Sequence, residues 1–92
     1  MPMSTKQLGI LFKEGATKGQ ASRTTIVEGK NKTYLVDYGW AILAERDKKT
    51  GRITAYEGWR GYSPSTSKHI SQTGVLGANV VMKGRKTLSE VI

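Results

Sequence analysis

The chain's single histidine, His69, follows a run of hydroxyls: Ser63, Ser65, Thr66 and Ser67. A serine beside a histidine is the start of a nucleophilic pair, but that chemistry needs a third group to orient the imidazole, and none is evident. Hydroxyls are also the residues that begin helices. His69 therefore reads as a buried hydrogen-bonding group or a surface residue, not as a base. The same segment could hold an anion, because a helix start with the hydroxyls of Ser65, Thr66 and Ser67 and the ammonium of Lys68 suits a phosphate. The carboxylates form no metal-binding or acid–base constellation. Glu45 and Asp47 bracket Arg46 beside a predicted hairpin, where solvated charge is expected. Asp37 alternates with apolar neighbours and is expected to face solvent. Lys83-Gly84-Arg85-Lys86 has a glycine among cations but nothing else that a phosphate-cradling loop requires. These residues read as a protein that binds, not an enzyme, with no cofactor, no metal and no small-molecule substrate.

Charge points to the partner. The 92 residues carry 15 Lys or Arg against 7 Asp or Glu, a net charge of +8. An excess of this size creates affinity for phosphate backbones, so an RNA or DNA backbone is the expected contact. From Arg60 to Leu88 there are five cations and no carboxylate. The candidate contact residues are Lys30, Asn31, Lys32, Trp59, Arg60, Lys68, Lys83, Arg85 and Lys86. The expected strand directions bring Lys30, Lys32, Arg60 and Lys68 to one end of a sheet, and Arg46, Lys48, Lys49 and Arg52 to the other. Tyr34, Tyr38, Trp40, Tyr56, Trp59 and Tyr62 are interleaved with these charges. With one Phe in the chain, most of these rings must fill the core. Trp59 and Tyr62, which flank Arg60, are the pair expected to be exposed for stacking.

The elements that must position these groups are short. Ser4 caps a helix whose apolar stripe is Leu8, Leu11 and Phe12, ending at Gly15. Residues 16–22 read as a loop. A β-branched strand follows over 23–28, then a turn at Gly29-Lys30-Asn31. A long strand is predicted over 32–46, bent or bulged at Gly39, with Tyr34, Val36, Tyr38, Trp40 and Ile42 on one face. Asp47 to Gly51 is a hairpin loop, and a third strand runs over 52–59. Ser63-Pro64 opens a short helix that Gly74 stops. Asn79 to Met82 suits a short strand, and Thr87 to Ile92 a last strand or a helical turn. The fold class is α+β: a three- to four-stranded antiparallel meander, an N-terminal helix and a short helix after strand three. Residues 1–92 make a single domain. The absence of cysteine excludes disulfides, Cys-ligated zinc and a thiol nucleophile. No apolar run is long enough to cross a membrane, and no signal peptide opens the chain, so the expected location is a cytoplasm.

The block Glu57-Gly58-Trp59-Arg60-Gly61-Tyr62-Ser63-Pro64-Ser65-Thr66-Ser67-Lys68-His69-Ile70 resembles a segment found in small phage and mobile-element proteins. There, a tryptophan-ended strand leads into a hydroxyl-rich helix start ending in Lys-His. Size, charge and the opening Met1 to Gly15 resemble phage-encoded anti-CRISPR proteins of the type I-F class. That resemblance implies a stoichiometric inhibitor in the host cytoplasm. It would bind the crRNA-guided Cascade (Csy) surveillance complex, contact crRNA and Cas subunits, and block target-DNA binding. It assigns no role to any individual residue and leaves the oligomeric state open. The alternative is a direct DNA- or RNA-binding accessory or regulatory protein of a phage or mobile element.

Overall fold

The computed structural model describes residues 3–91. Ser4 accepts the Gln7 N–H, and the Gln7 side chain returns to the Ser4 N–H, which fixes the start of α1 (Thr5–Lys13). Leu8 and Phe12 are its fully buried positions. Then come β1 (Gly19–Ala21), β2 (Thr24–Glu28), β3 (Lys32–Asp37), β4 (Ala41–Asp47) and β5 (Ile53–Tyr56), each antiparallel to the one before. Ser63 caps α2 (Pro64–Gln72), with Pro64 in the first turn, where its missing N–H costs nothing. The chain closes with β6 (Val80–Met82), parallel to β5, and β7 (Lys86–Thr87), which pairs with Ala41 and Ile42 of β4. β5 pairs only with residues 44–46 of β4, so β7 takes the rest of that same edge.

The fold class read from the sequence is the one observed, with a larger sheet. The predicted loop over 16–22 contains β1, and the predicted long strand over 32–46 is two strands. Tyr38 and Gly39 stand at φ 55° and 75°, and the Trp40 N–H donates to the Asp37 carbonyl at 3.2 Å. Left-handed backbone at both central residues marks the tight hairpin turn whose twist matches its strands. Asn and Gly are the usual occupants; Tyr38 holds this conformation at a cost of about 1–2 kcal/mol. The irregularity expected at Gly39 lies instead between Leu35 and Val36, where the β3–β4 register shifts. Of the two readings for residues 87–92, both occur: Thr87 ends β7 and Leu88–Glu90 form a 3-10 turn, while Ile92 lies outside the described residues.

Every residue of β3 from Thr33 to Asp37 is buried, as is β4 from Ala41 to Glu45, so the two central strands are covered on both faces. α1 lies against β1, β2 and β3, and meets α2. That helix contact needs a glycine: a Cβ on Gly9 would fall 2.7 Å from the Thr73 Cα and closer still to its carbonyl oxygen. Among the described residues, no helix is long and apolar enough to cross a membrane.

Candidate nucleic-acid interface

The extra reversal at Tyr38–Gly39 rearranges the expected charge clusters. β3 starts where β4 ends, so Lys32 lies opposite Asp47. The turn at Gly29-Lys30-Asn31 therefore sits beside the β4–β5 turn, and the Lys48 N–H donates to the Asn31 carbonyl at 3.1 Å. Lys30, Asn31 and Lys32 share a shallow depression with Asp47, Lys48, Lys49 and Thr50. Arg60 and Lys68 are not part of it, which corrects the grouping expected from sequence. This cationic rim is held in shape by Asp47. Its carboxylate accepts the N–H groups of Lys49 at 2.8 Å and Thr50 at 3.1 Å. Those Thr50 and Lys49 bonds hold the Asp47 carboxyl below its ordinary range. Gly51, at φ 77°, closes the turn. Lys48 pairs with Glu28 at 2.7 Å, whereas Lys30, Lys49 and Arg52 make no ion pair among the described residues.

Two cations assigned to the interface are drawn inward. Lys32 and Lys86 both bind the buried Glu45 carboxylate, Lys86 at 3.1 Å, and the Tyr56 hydroxyl donates to it at 2.6 Å. Glu45 is thus not the solvated hairpin charge expected from its neighbours. The cross-strand register makes it a neighbour of Tyr34 and Thr54 and brings lysines from β3 and β7 to it. Burial pushes the Glu45 carboxyl up, but the combined bonds from Lys32, Tyr56 and Lys86 outweigh this and leave it below its ordinary value. Burial likewise works against the Lys86 ammonium, and the bonds to Glu45 and Tyr56 carry it above its ordinary value. The Tyr56 phenol is pushed up to about 12, first by burial and then by its bond to Glu45.

At the opposite end of β3 and β4, aromatic residues gather. Trp59 is 1% exposed, so it is a core residue and not the stacking ring anticipated. The 3-10 turn over Glu57–Trp59 turns it inward, out of the strand alternation. Its exposed neighbours are Tyr62, at 46%, and Trp40, at 41%. The three rings meet edge to face with centroids 5.0–5.7 Å apart. The Arg85 guanidinium lies over Trp59 at 5.6 Å and Tyr62 at 5.1 Å. Arg85 Nε also donates to the Gly58 carbonyl at 2.6 Å, and the Gly58 N–H donates to Gly84. The basic turn at residues 83–86 is thereby seated against Gly58, Trp59 and Tyr62. Sequence reasoning missed Trp40 and Tyr38 as exposed rings. The available signal was a Tyr-Gly pair between two apolar runs.

Asp37 faces the core, not solvent. It is fully buried, and His69 Nδ1 lies 2.9 Å and 3.0 Å from its two carboxylate oxygens. Thr24 Oγ1 donates to it at 3.1 Å. His69 is thus a buried hydrogen-bonding residue, and the orienting carboxylate that the sequence did not reveal comes from a strand 32 residues away. Of the hydroxyls expected to serve a phosphate, those of Ser65 and Thr66 are committed elsewhere. Ser63 Oγ accepts the Thr66 N–H, Thr66 is buried, and Ser65 Oγ accepts the Tyr38 hydroxyl at 2.6 Å. Lys68 is exposed on α2. Among the described residues, no three His, Cys, Asp or Glu side chains converge as metal ligands. Comparison with protein-family models, with curated proteins and with solved structures finds no match.

Proposed function

We propose that the protein works by binding a nucleic-acid-containing assembly, as an inhibitor of a host type I-F crRNA-guided surveillance complex that stops it from engaging target DNA. One observation carries the choice of an assembly over a bare polymer: the cationic rim and the aromatic end lie at opposite ends of the central strands. A ribonucleoprotein presents backbone phosphates and splayed bases together along a protein channel, and two chemically distinct ends, one cationic and one aromatic, suit such a mixed target. Lys30, Lys49 and Arg52 would meet backbone phosphates, while Lys32 and Lys86 hold the sheet face behind them. The identity of the complex comes from the resemblance of the chain's opening segment, size and charge.

The test is co-elution of the purified protein with the surveillance complex, together with target-DNA binding by that complex. Co-elution with loss of DNA binding is the expected result, and a Lys30→Glu, Lys49→Glu variant should lose both. Absence of co-elution would reject the inhibitor. The second reading, a direct DNA- or RNA-binding accessory protein, is favoured by the same unpaired rim cations. It requires a gel shift with free nucleic acid whose affinity falls as salt rises.

A further inference from the structure

We infer that the aromatic end is a stacking site for unpaired nucleobases, so that the protein takes single-stranded and not duplex nucleic acid; this rests on the nucleic-acid reading above. A base that is paired and stacked in a duplex hides both faces, so exposed rings can capture only a base that has left the helix. Trp40 and Tyr62 each leave nearly half of their surface open, yet neither is loose. Trp59 backs both from the core, and Arg85 spans Trp59 and Tyr62. The Trp40 backbone carbonyl accepts the Leu88 N–H at 2.7 Å, which fixes the ring's root. A rigid ring loses little freedom on stacking, so most of the contact energy appears as affinity.

The charges around the rings favour a polyanion over an apolar protein patch. Arg60, Lys83 and Arg85 are exposed and make no ion pair among the described residues. The carboxylates at this end are Glu57, half-buried in the 3-10 turn, and Glu90, whose Oε2 accepts the Thr87 N–H. Tyr38 adds a third open ring on the hairpin tip, held at positive φ where Asn or Gly would be unstrained. Its hydroxyl bond to Ser65 turns it toward the start of α2 and leaves Trp40 and Tyr62 as the pair that a base can reach.

The experiment titrates a twelve-nucleotide oligo(dT), and separately a duplex of the same length, into the full-length protein at low salt. Tryptophan fluorescence and a gel shift are read together. Oligo(dT) should quench fluorescence and bind more tightly than the duplex. Trp40→Ala should remove the quenching and weaken oligo(dT) binding about tenfold or more while leaving duplex binding unchanged. Trp40→Phe, which keeps a ring, should retain most of the affinity. Unchanged circular dichroism of both variants establishes that they fold. Equal affinity for both oligonucleotides, or a Trp40→Ala variant that loses neither or both alike, overturns the stacking site and assigns the aromatic end to a protein partner. Absence of binding to any nucleic acid, with Lys30→Glu, Lys49→Glu indistinguishable from the parent, overturns the nucleic-acid reading itself.

Discussion

Replacing Gly9 by alanine sets two effects of opposite sign against each other. Within a helix, alanine is favoured over glycine by about 1 kcal/mol, so the substitution would stabilise α1 if it stood alone. In the fold, the new methyl would lie 2.7 Å from the Thr73 Cα and 2.8 Å from its carbonyl carbon, where ordinary contact begins at 3.4 Å. The helices must therefore separate by more than about 0.7 Å, because the Thr73 carbonyl oxygen lies closer still. Thr73 cannot yield alone, because its N–H donates to the His69 carbonyl and its hydroxyl to the Ile70 carbonyl, each at 3.0 Å. Backbone pressed on backbone belongs at the upper end of overpacking costs, about 3 kcal/mol. The net expectation is a loss of about 2 kcal/mol, or a Tm lower by roughly 8–16 °C for a domain of this size. Thermal and urea denaturation would measure it. Gly77→Ala is the control: a Cβ there meets nothing within 4 Å, so stability should change by less than about 0.5 kcal/mol. A Gly9→Ala protein as stable as the parent would refute the close seating of α2, and with it the precision of the Asp37–His69 contact.

Three further outcomes follow from the buried polar groups. Asp37→Ala would strand His69 Nδ1 and the Thr24 hydroxyl and should cost about 3 kcal/mol in urea denaturation, with Asp37→Asn milder because the amide oxygen still accepts; a loss below about 1 kcal/mol for the alanine variant contradicts the network. The folded Glu45 carboxyl titrates below its ordinary 4.5, so its contribution is present above that pH and is lost as pH falls through the folded value. Glu45→Gln should accordingly flatten the acid side of the stability–pH curve, and an unchanged acid limb argues against the Lys32–Glu45–Lys86 array. The Tyr56 phenol, raised from 10.0 to about 12, should ionise late in an alkaline absorbance titration, with stability falling as pH rises from 10 to 12. Tyr56→Phe should remove that late step.

The elements whose ends are set by local chemistry were legible in the sequence. Ser4 with Gln7, Ser63 with Pro64, and Asp47 to Gly51 each carry their own capping or turn groups within four residues. The Tyr38–Gly39 turn was not, because apolar residues alternate straight through it from Tyr34 to Ile42, and a bulky ring occupies a position that normally announces itself with Asn or Gly. That single turn decides which cations share an end. Reading it as a bend grouped Lys30 with Arg60; reading it as a reversal groups Lys30 with Lys49. Asp37 and Glu45 were misplaced for a different reason. Their partners, His69 and Lys86, lie 32 and 41 residues further along, and nothing near either carboxylate reports them. The same holds for Trp59, whose burial depends on the segment around Gly84 folding back over it.

β7 is two residues long, and it shares an edge of β4 with β5. So short a strand works as a latch. When it is shut, the segment around it supplies the Leu88 N–H to Trp40, the Arg85 roof over Trp59 and Tyr62, and the Lys86 partner of Glu45. When it lifts, all of these go together, without any strand of the main meander having to separate. The lifetime of the open aromatic end is thus governed by a small sub-global opening and not by the unfolding of the protein. Amide exchange at Leu88 would read that opening directly, and a bound strand that stacks on Trp40 should slow it increasingly with concentration, up to the factor by which it binds the closed form in preference to the open one.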